Sequence, residues 1–327
     1  MGFDRFRGCA GFIDSALMLQ QIFDERFARA GVPLYLWRLD QLPGVLAGNK
    51  YYKLSSNLDH AVAAGRLRVA SFGGAWSNHL HALARAGQAR GLKTLGLVRA
   101  DASTALTPML EDARRWGMEF IFLSRSDYRR RHDPGFLDSL SDDWPDTFWV
   151  PEGGSNALGV TGCVSLGREI ARALPDRDLI VALACGTGGT LAGVAAGLGA
   201  KAQVQVCGYP MVKGGFYQSA VEEHLRSAGL CADNWAIVED VAMGGYGTCS
   251  PELARFIVDF YRRHQVVLEP VYTGKLLYAL LQQVQAGEFQ GRSLLALHTG
   301  GLQGLRGYPA LLADLAEVGF QGLEEGF

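Results

Sequence analysis

The sequence predicts an α/β protein: two open, mostly parallel, twisted sheets wrapped by helices. Two observations carry this. Short apolar runs of strand length alternate with longer helical runs from about residue 32 to residue 298, the rhythm of strands joined through crossover helices. At 327 residues the chain also exceeds the usual size of one domain. A smaller sheet domain over residues 50–150 is therefore expected to be inserted into a larger one formed by residues 1–49 and 151–327, with a boundary near Val150.

In chain order, residues 15–30 have loosely helical spacing and end at Gly31, and Val32 to Arg38 forms a strand entered through Pro33. Asp40 to Gly48 is turn-rich. From Lys50 the spacing of Leu54, Leu58, Val62 and Ala63 is helical and closes at Gly65. Arg68 to Phe72 is a buried strand, followed by an alanine-rich helix from His79 to Arg90. A strand over Lys93 to Arg99, a helix over Pro108 to Trp116 and a strand over Met118 to Leu123 follow. The mixed-charge stretch from Ser124 to Asp146 is expected as a surface excursion. The second half repeats the alternation. It has helices from Gly159 to Leu174, after Gly189, from Phe216 to Ala228, from Pro251 to His264 and from Lys275 to Gln285. Its strands run over Leu179 to Ala184, Val204 to Gly208 and Ser293 to His298.

Composition removes several function classes. Net charge is −2 and no basic run exceeds Arg129-Arg130-Arg131, so nucleic acid is not an expected partner. No stretch nears the ~18 apolar residues of a membrane span, and the amino end lacks a signal-type apolar core. The six cysteines form no C-x-x-C and no close pairing with histidine, which suits reduced thiols in a cytoplasmic protein and offers no metal site. The 42 glycines cluster in five loops, a sign of backbone approaching a ligand.

Several of those loops hold reactive side chains. In Gly48-Asn49-Lys50-Tyr51-Tyr52-Lys53 the two lysines are three apart, so a helix opening there puts both on one face. One amine could carry a Schiff base and the other neutralise a phosphate; alternatively both are solvated. Cys185-Gly186-Thr187-Gly188-Gly189-Thr190 lies between a strand and a helix, where free N–H groups and the helix dipole make a phosphate seat. Its spacing matches neither nucleotide fingerprint, so a small phosphate monoester fits best, with a bare tight turn as the alternative. Ser77-Asn78 either donates hydrogen bonds to a ligand or caps a helix. Thr273 could cap the next helix, while Tyr272 is a candidate site residue or core, and the glycine-framed Tyr246 a candidate site residue or part of a plain turn. His298-Thr299-Gly300-Gly301 ends a strand at the carboxyl edge, where open sheets bind ligands.

Together, in this order, these segments and Gly153-Gly154-Ser155-Asn156 resemble the pyridoxal-phosphate enzymes that include 1-aminocyclopropane-1-carboxylate deaminase and D-cysteine desulfhydrase, of the tryptophan-synthase-β-like fold (fold type II). The resemblance runs from Pro33 to about Gly304. It implies pyridoxal 5′-phosphate as cofactor, a small amino acid as substrate and a homodimer. It assigns Lys50 to the Schiff base, Lys53 and the backbone of Gly186, Thr187, Gly188, Gly189 and Thr190 to the phosphate, and Asn78 to the ring 3′-oxygen. Ser77 would meet the substrate carboxylate or a moving proton, and Tyr246 and Tyr272 would face the substrate. Thr273 would meet the pyridine nitrogen, and Thr299 would line the cofactor site. The deaminase is expected to carry a glutamate where Thr273 stands, so the resemblance favours β-elimination over ring opening. Tyr51, Tyr52, Trp76 and His79 depart from the family's usual residues and are expected to shape the substrate pocket.

Overall fold

A computed structural model describes residues 18–42, 47–101, 103, 105–175, 178–200, 203–239 and 244–323. Leu19–Ile22 (β1) leads to Glu25–Ala28 (α1), a single turn capped by Asp24, whose carboxylate accepts the N–H of Arg26. Leu34–Arg38 (β2), Lys50–Ala63 (α2), Arg68–Gly74 (β3), Asn78–Arg90 (α3), Lys93–Arg99 (β4), Pro108–Arg115 (α4) and Met118–Leu123 (β5) follow. Arg125–Arg129 (α5) and Pro134–Asp143 (α6) lead to Thr147–Val150 (β6). Then come Ala157–Ala173 (α7), Leu179–Cys185 (β7), Gly189–Leu198 (α8), Val204–Pro210 (β8), Tyr217–Ser227 (α9) and Trp235–Ile237 (β9). Pro251–His264 (α10), Thr273–Gln285 (α11), Ser293–His298 (β10) and Pro309–Glu317 (α12) complete the described chain.

The strands form two sheets. One has the order β1-β2-β10-β7-β8-β9, and the other β5-β4-β3-β6. Every pairing is parallel except β1 with β2. In a parallel sheet covered on both faces the central strands have no wet side. That explains why all seven residues of β7, Leu-Ile-Val-Ala-Leu-Ala-Cys, are buried. Two apolar clusters flank the larger sheet, one including Leu36, Tyr209, Phe260 and Leu280, the other Trp37, Val181, Leu191 and Leu295. Two more flank the smaller sheet, around Leu58, Leu83 and Val98 on one face and Phe72, Leu97 and Tyr128 on the other. Among the described residues no helix is long and apolar enough to cross a membrane.

Two regions depart from expectation. Residues 15–17 lie outside the described residues, but the rest of the expected amino-terminal helix is broken into the strand Leu19–Ile22 and the single helical turn Glu25–Ala28. Leu19 to Ile22 pair with Trp37 to Leu34 along the edge of β2, so the sheet overrides a loosely helical pattern. The stretch 124–146 is not a plain excursion. Ser124 caps α5 by accepting the N–H of Asp127, and Asp133 caps α6 by accepting that of Gly135, with Pro134 in the first turn. Tyr128 and Leu140 from these helices cover one face of the smaller sheet. The short strands β6 and β9 and the helix α12 are further elements without a sequence expectation.

Candidate active site

The chain approaches Lys50 through a tight crossing. Gly48 has φ +77°, and a Cβ there would lie 2.3 Å from the Thr299 carbonyl oxygen, so only glycine fits. Asn49 then pins the turn at both ends. Its N–H donates to Thr299 O (3.3 Å) and its side-chain amide to Thr190 Oγ1 (3.0 Å). The start of α2 is thereby tied to the ends of two core elements, β10 and α8.

Lys50 and Lys53 project from the first turn of α2 onto the same acceptor, Gly153 O, at 3.3 and 3.0 Å. Lys53 Nζ also donates to Ser155 Oγ (2.6 Å) and Thr187 Oγ1 (3.4 Å). Burial, reinforced by the charge of Lys53, pulls the Lys50 amine down to about 7. An amine near 7 is a usable nucleophile and base at neutral pH.

At the carboxyl end of β7 the chain turns through Gly186, Thr187 and Gly188, the last at φ +82°, into the amino end of α8. Thr187 O accepts from His224 Nε2 at 2.9 Å, and Thr187 Oγ1 bonds Ser155 Oγ. A Cβ on Gly189 would stand 2.7 Å from Ser155 Oγ and 3.2 Å from Lys53 Nζ, so its absence keeps the seat open. A cation, two hydroxyls and a helix N-terminus converge there, the chemistry of an anion site.

Opposite, Ser77 caps α3 by accepting the N–H of Leu80 at 3.2 Å, as the capping alternative expects, and the residue also lines the cavity. Asn78 Oδ1 accepts from Gln303 Nε2 at 2.9 Å, and its Nδ2 lies over Gly301. His79 Nε2 bonds Ser71 Oγ at 2.8 Å, leaving a buried Nδ1 without a partner. Burial, with the two lysine charges behind it, holds that imidazole neutral, well below its ordinary pKa.

Tyr272 OH lies 3.4 Å from Tyr246 OH. Thr273 is fully buried; its N–H donates to Glu269 at 2.6 Å, and its Oγ1 has no hydrogen-bond partner. Glu269 also accepts the N–H groups of Val271 and Tyr272, and burial still pushes it up to about 7.

One cavity of about 1130 Å³ is lined by Lys50, Lys53, Ser77, Asn78, Gly186, Thr187, Gly188, Thr190, Tyr246, Tyr272 and Thr299. Gly189 and Thr273 stand behind its wall. Of the four departures from the family pattern, Trp76 and His79 line the cavity and the tyrosines do not. Tyr52 points into the core and donates to Glu169 at 2.6 Å, with Tyr51 edge-on to its ring. The expectation that these tyrosines shape the pocket is therefore corrected: Tyr52 faces α7, Tyr51 packs against the apolar clusters beside it, and neither lines the cavity. Ser155, Asn49, His224 and Gln303 serve the site without having been singled out as site residues. Of these, Asn49 and Ser155 carried a local signal, their places in the Gly48-Asn49-Lys50 and Gly153-Gly154-Ser155-Asn156 motifs. Among the described residues no group of three or more His, Cys, Asp or Glu side chains could hold a metal ion.

Comparison with known proteins adds three findings. A family model described as pyridoxal-phosphate dependent enzyme matches residues 24–300. The bifunctional D-cysteine desulfhydrase/1-aminocyclopropane-1-carboxylate deaminase of Arabidopsis thaliana is 30% identical over 316 residues, covering 85% of this chain and 78% of its own; the D-cysteine desulfhydrase of Serratia proteamaculans is 27% identical, covering 85% and 89%. The crystal structure of an ACC deaminase homologue superposes with a TM-score of 0.77 at 27% identity, covering 91% of this chain and 93% of its own.

Proposed function

Because this chain belongs to the pyridoxal-phosphate dependent enzyme family, we propose that it is a lyase/deaminase that carries out α,β-elimination on a small amino acid. In the manner of a D-cysteine desulfhydrase, it would release a keto acid, ammonia and a leaving group such as sulfide. The observation that carries this reading is the pair of lysines one helical turn apart, both on Gly153 O, one amine pulled to about 7 and the other in a hydroxyl-lined anion seat.

The cofactor is pyridoxal 5′-phosphate, and the residues present fit it. The seat around Lys53 suits a phosphate, the buried Thr273 Oγ1 is an unmatched polar atom, and Gly189 leaves room where a side chain would block the seat. When bound, the cofactor supplies the electron sink for the charge left on Cα after deprotonation. In this reading Lys50 would hold it through Nζ. Lys53, with Thr187 and the backbone from Gly186 to Thr190, would hold its phosphate. Asn78 would hold the 3′-oxygen and Thr273 the ring nitrogen, with Thr299 beside the ring.

Once free, Lys50 Nζ takes the Cα proton, a role that the lowering of its amine to about 7 supports. Ser77 Oγ binds the substrate carboxylate or passes on a proton. Tyr246 and Tyr272 hold a proton at their paired hydroxyls for the departing group. Opening of aminocyclopropane carboxylate is the second reading, suggested by the double name of the Arabidopsis relative. A hydroxyl at residue 273 supports elimination instead, since a carboxylate there would keep the ring nitrogen protonated.

The same reading divides the chain into residues 50–150 and the remainder, with the cofactor between them, and includes a cytoplasmic homodimer. The five described cysteines are free thiols, which agrees with a reducing compartment.

The test is the visible spectrum of the purified protein before and after D-cysteine, with pyruvate assayed alongside and four-carbon keto acid assayed after aminocyclopropane carboxylate. The expected result is a yellow protein whose band shifts as pyruvate appears, and a Lys50→Ala variant that loses both colour and turnover. A Lys50→Ala protein that still eliminates would overturn the assignment.

A further inference from the structure

Arg99 is the last residue of β4, at the carboxyl edge of the smaller sheet. It pairs in register with Gly74, the last residue of β3, immediately before the Ala75-Trp76-Ser77-Asn78 segment that faces the cavity. A Cβ on Gly74 would be 3.8 Å from an Arg99 Nη atom, so the guanidinium lies beside the start of this segment. Arg99 stacks on Tyr128 at 5.5 Å, and Arg131 stacks on the same ring at 4.8 Å. The two arginines differ in one respect. Glu152 accepts from Arg131 Nε and from Tyr128 OH, both at 2.8 Å, so Arg131 is neutralised and the ring is fixed. Among the described residues no carboxylate forms an ion pair with Arg99. All four side chains line the cavity that holds Lys50. Desolvation raises the Tyr246 phenol above its ordinary value, and the charge of Arg99 is among the influences that lower it, which places the guanidinium within electrostatic reach of the tyrosine pair.

We propose that Arg99 determines specificity by binding an anionic group at the far end of the substrate side chain, so that the enzyme prefers acidic amino acids or amino acids with acidic β-substituents over neutral isosteres. The proposal rests on reading this cleft as an amino-acid site. The guanidinium fork matches a carboxylate in two hydrogen bonds, and Tyr128, locked by Glu152, holds the fork in place before substrate arrives. Arg131, which shares the Tyr128 ring, is already matched by Glu152.

The holoenzyme is assayed with two size-matched pairs that differ in charge, each as both enantiomers. S-carboxymethylcysteine against S-carbamoylmethylcysteine reads elimination, and glutamate against glutamine reads binding by calorimetry without any leaving group. The charged member is expected to win by about tenfold or more, through KM rather than kcat. Arg99→Gln should abolish the preference while leaving turnover of the neutral member within about twofold, and Arg99→Lys should keep part of it. A wild-type enzyme without the preference, or an Arg99→Gln enzyme that retains it, overturns the proposal. If neither cysteine derivative is eliminated but glutamate still binds tighter through Arg99, the elimination reading fails and the specificity assignment stands. Elimination of both derivatives at equal kcat/KM would do the reverse.

Discussion

The lowered basicity of Lys50 comes from where its amine is held. A free lysine is neutral at pH 7 in about one molecule in a few thousand. Burial lowers Lys50 to about 7 and Lys53 adds repulsion, while Cys163 and Glu152 pull weakly the other way. In the apoprotein, labelling of Lys50 by an amine-directed acylating reagent, mapped by mass spectrometry, should rise through about pH 7 and level off near pH 8. Lys53→Met should move that profile to higher pH by removing the neighbouring charge. A wild-type profile climbing only near pH 10 would contradict the burial account. The sign for stability follows. Between about 7 and 10.5 the unfolded chain still holds a proton that folded Lys50 has released, so the contribution of this residue grows as pH rises through that window. The apoprotein should gain thermal stability over that range relative to Lys50→Met, whose melting temperature lacks this term.

At the scale of elements, the lysines are placed by a glycine seam on α7. A Cβ at Gly162 would lie 2.0 Å from Tyr52 O on α2, one at Gly159 1.9 Å from Gly154 O, and one at Gly167 2.4 Å from Val194 O on α8. These contacts are with backbone, which cannot rotate away, so Gly162→Ala must push α2 outward and carry Lys50 and Lys53 with it. About 1–3 kcal/mol of stability should be lost, the usual cost of overpacking, together with weaker cofactor retention, both measurable by thermal melts and absorbance after dialysis. Gly135→Ala on exposed α6, where the nearest atom is 3.6 Å away, should be neutral or stabilising. The seam also shows where sequence reading stops. The strands over Lys93–Arg99, Met118–Leu123 and Ser293–His298 and the helix Pro251–His264 match their expected bounds, because hydrophobic period and terminal Gly or Pro are local signals. The lysine pair and the Ser77-Asn78 loop were legible for the same reason. Glycines inside a helix give only a sign of weakness until the opposing backbone is known. The bonds from Asn49 to Thr190 and from Gln303 to Asn78 join residues 141 and 225 positions apart, and no local pattern announces them. Leu19 to Ile22 became strand because the edge of β2 was there to pair with.

Across the whole molecule, the two sheets are clasped at the turn Leu302–Gly307, which follows β10. Gln303 reaches Asn78, a Cβ on Gly307 would stand 3.2 Å from the Trp76 ring, and Arg306 bonds the buried carboxylate of Asp112 on α4. His81 on α3 lies 3.1 Å from the same carboxylate, and Arg115 bonds its other oxygen. Burial raises Asp112, but the hydrogen bonds from Arg306, Arg115 and His81 outweigh it and hold the carboxyl below its ordinary value. Burial lowers His81 to about 4. Both shifts have the same sign for acid. His81 must take up a proton that the unfolded chain binds already at 6.5, so stability is lost as pH falls from about 6.5 toward 4, and the contribution of Asp112 is lost below that. Asp112→Asn leaves two arginines without their acceptor. Since Arg115 and Arg306 both reach solvent, the cost should be about 1–3 kcal/mol, short of the ~3–5 of a fully buried broken pair. Arg306→Gln should cost less on its own, and the double variant should be no worse than Asp112→Asn, because the second change removes a charge already stranded. Additive losses in that cycle, measured by denaturant unfolding at pH 7, would mean that the turn and α4 are stabilised independently. A strong coupling, accompanied in both single variants by faster cofactor loss, would mean that the bond between the sheets also sets the width of the cleft in which Lys50 and Asn78 face each other.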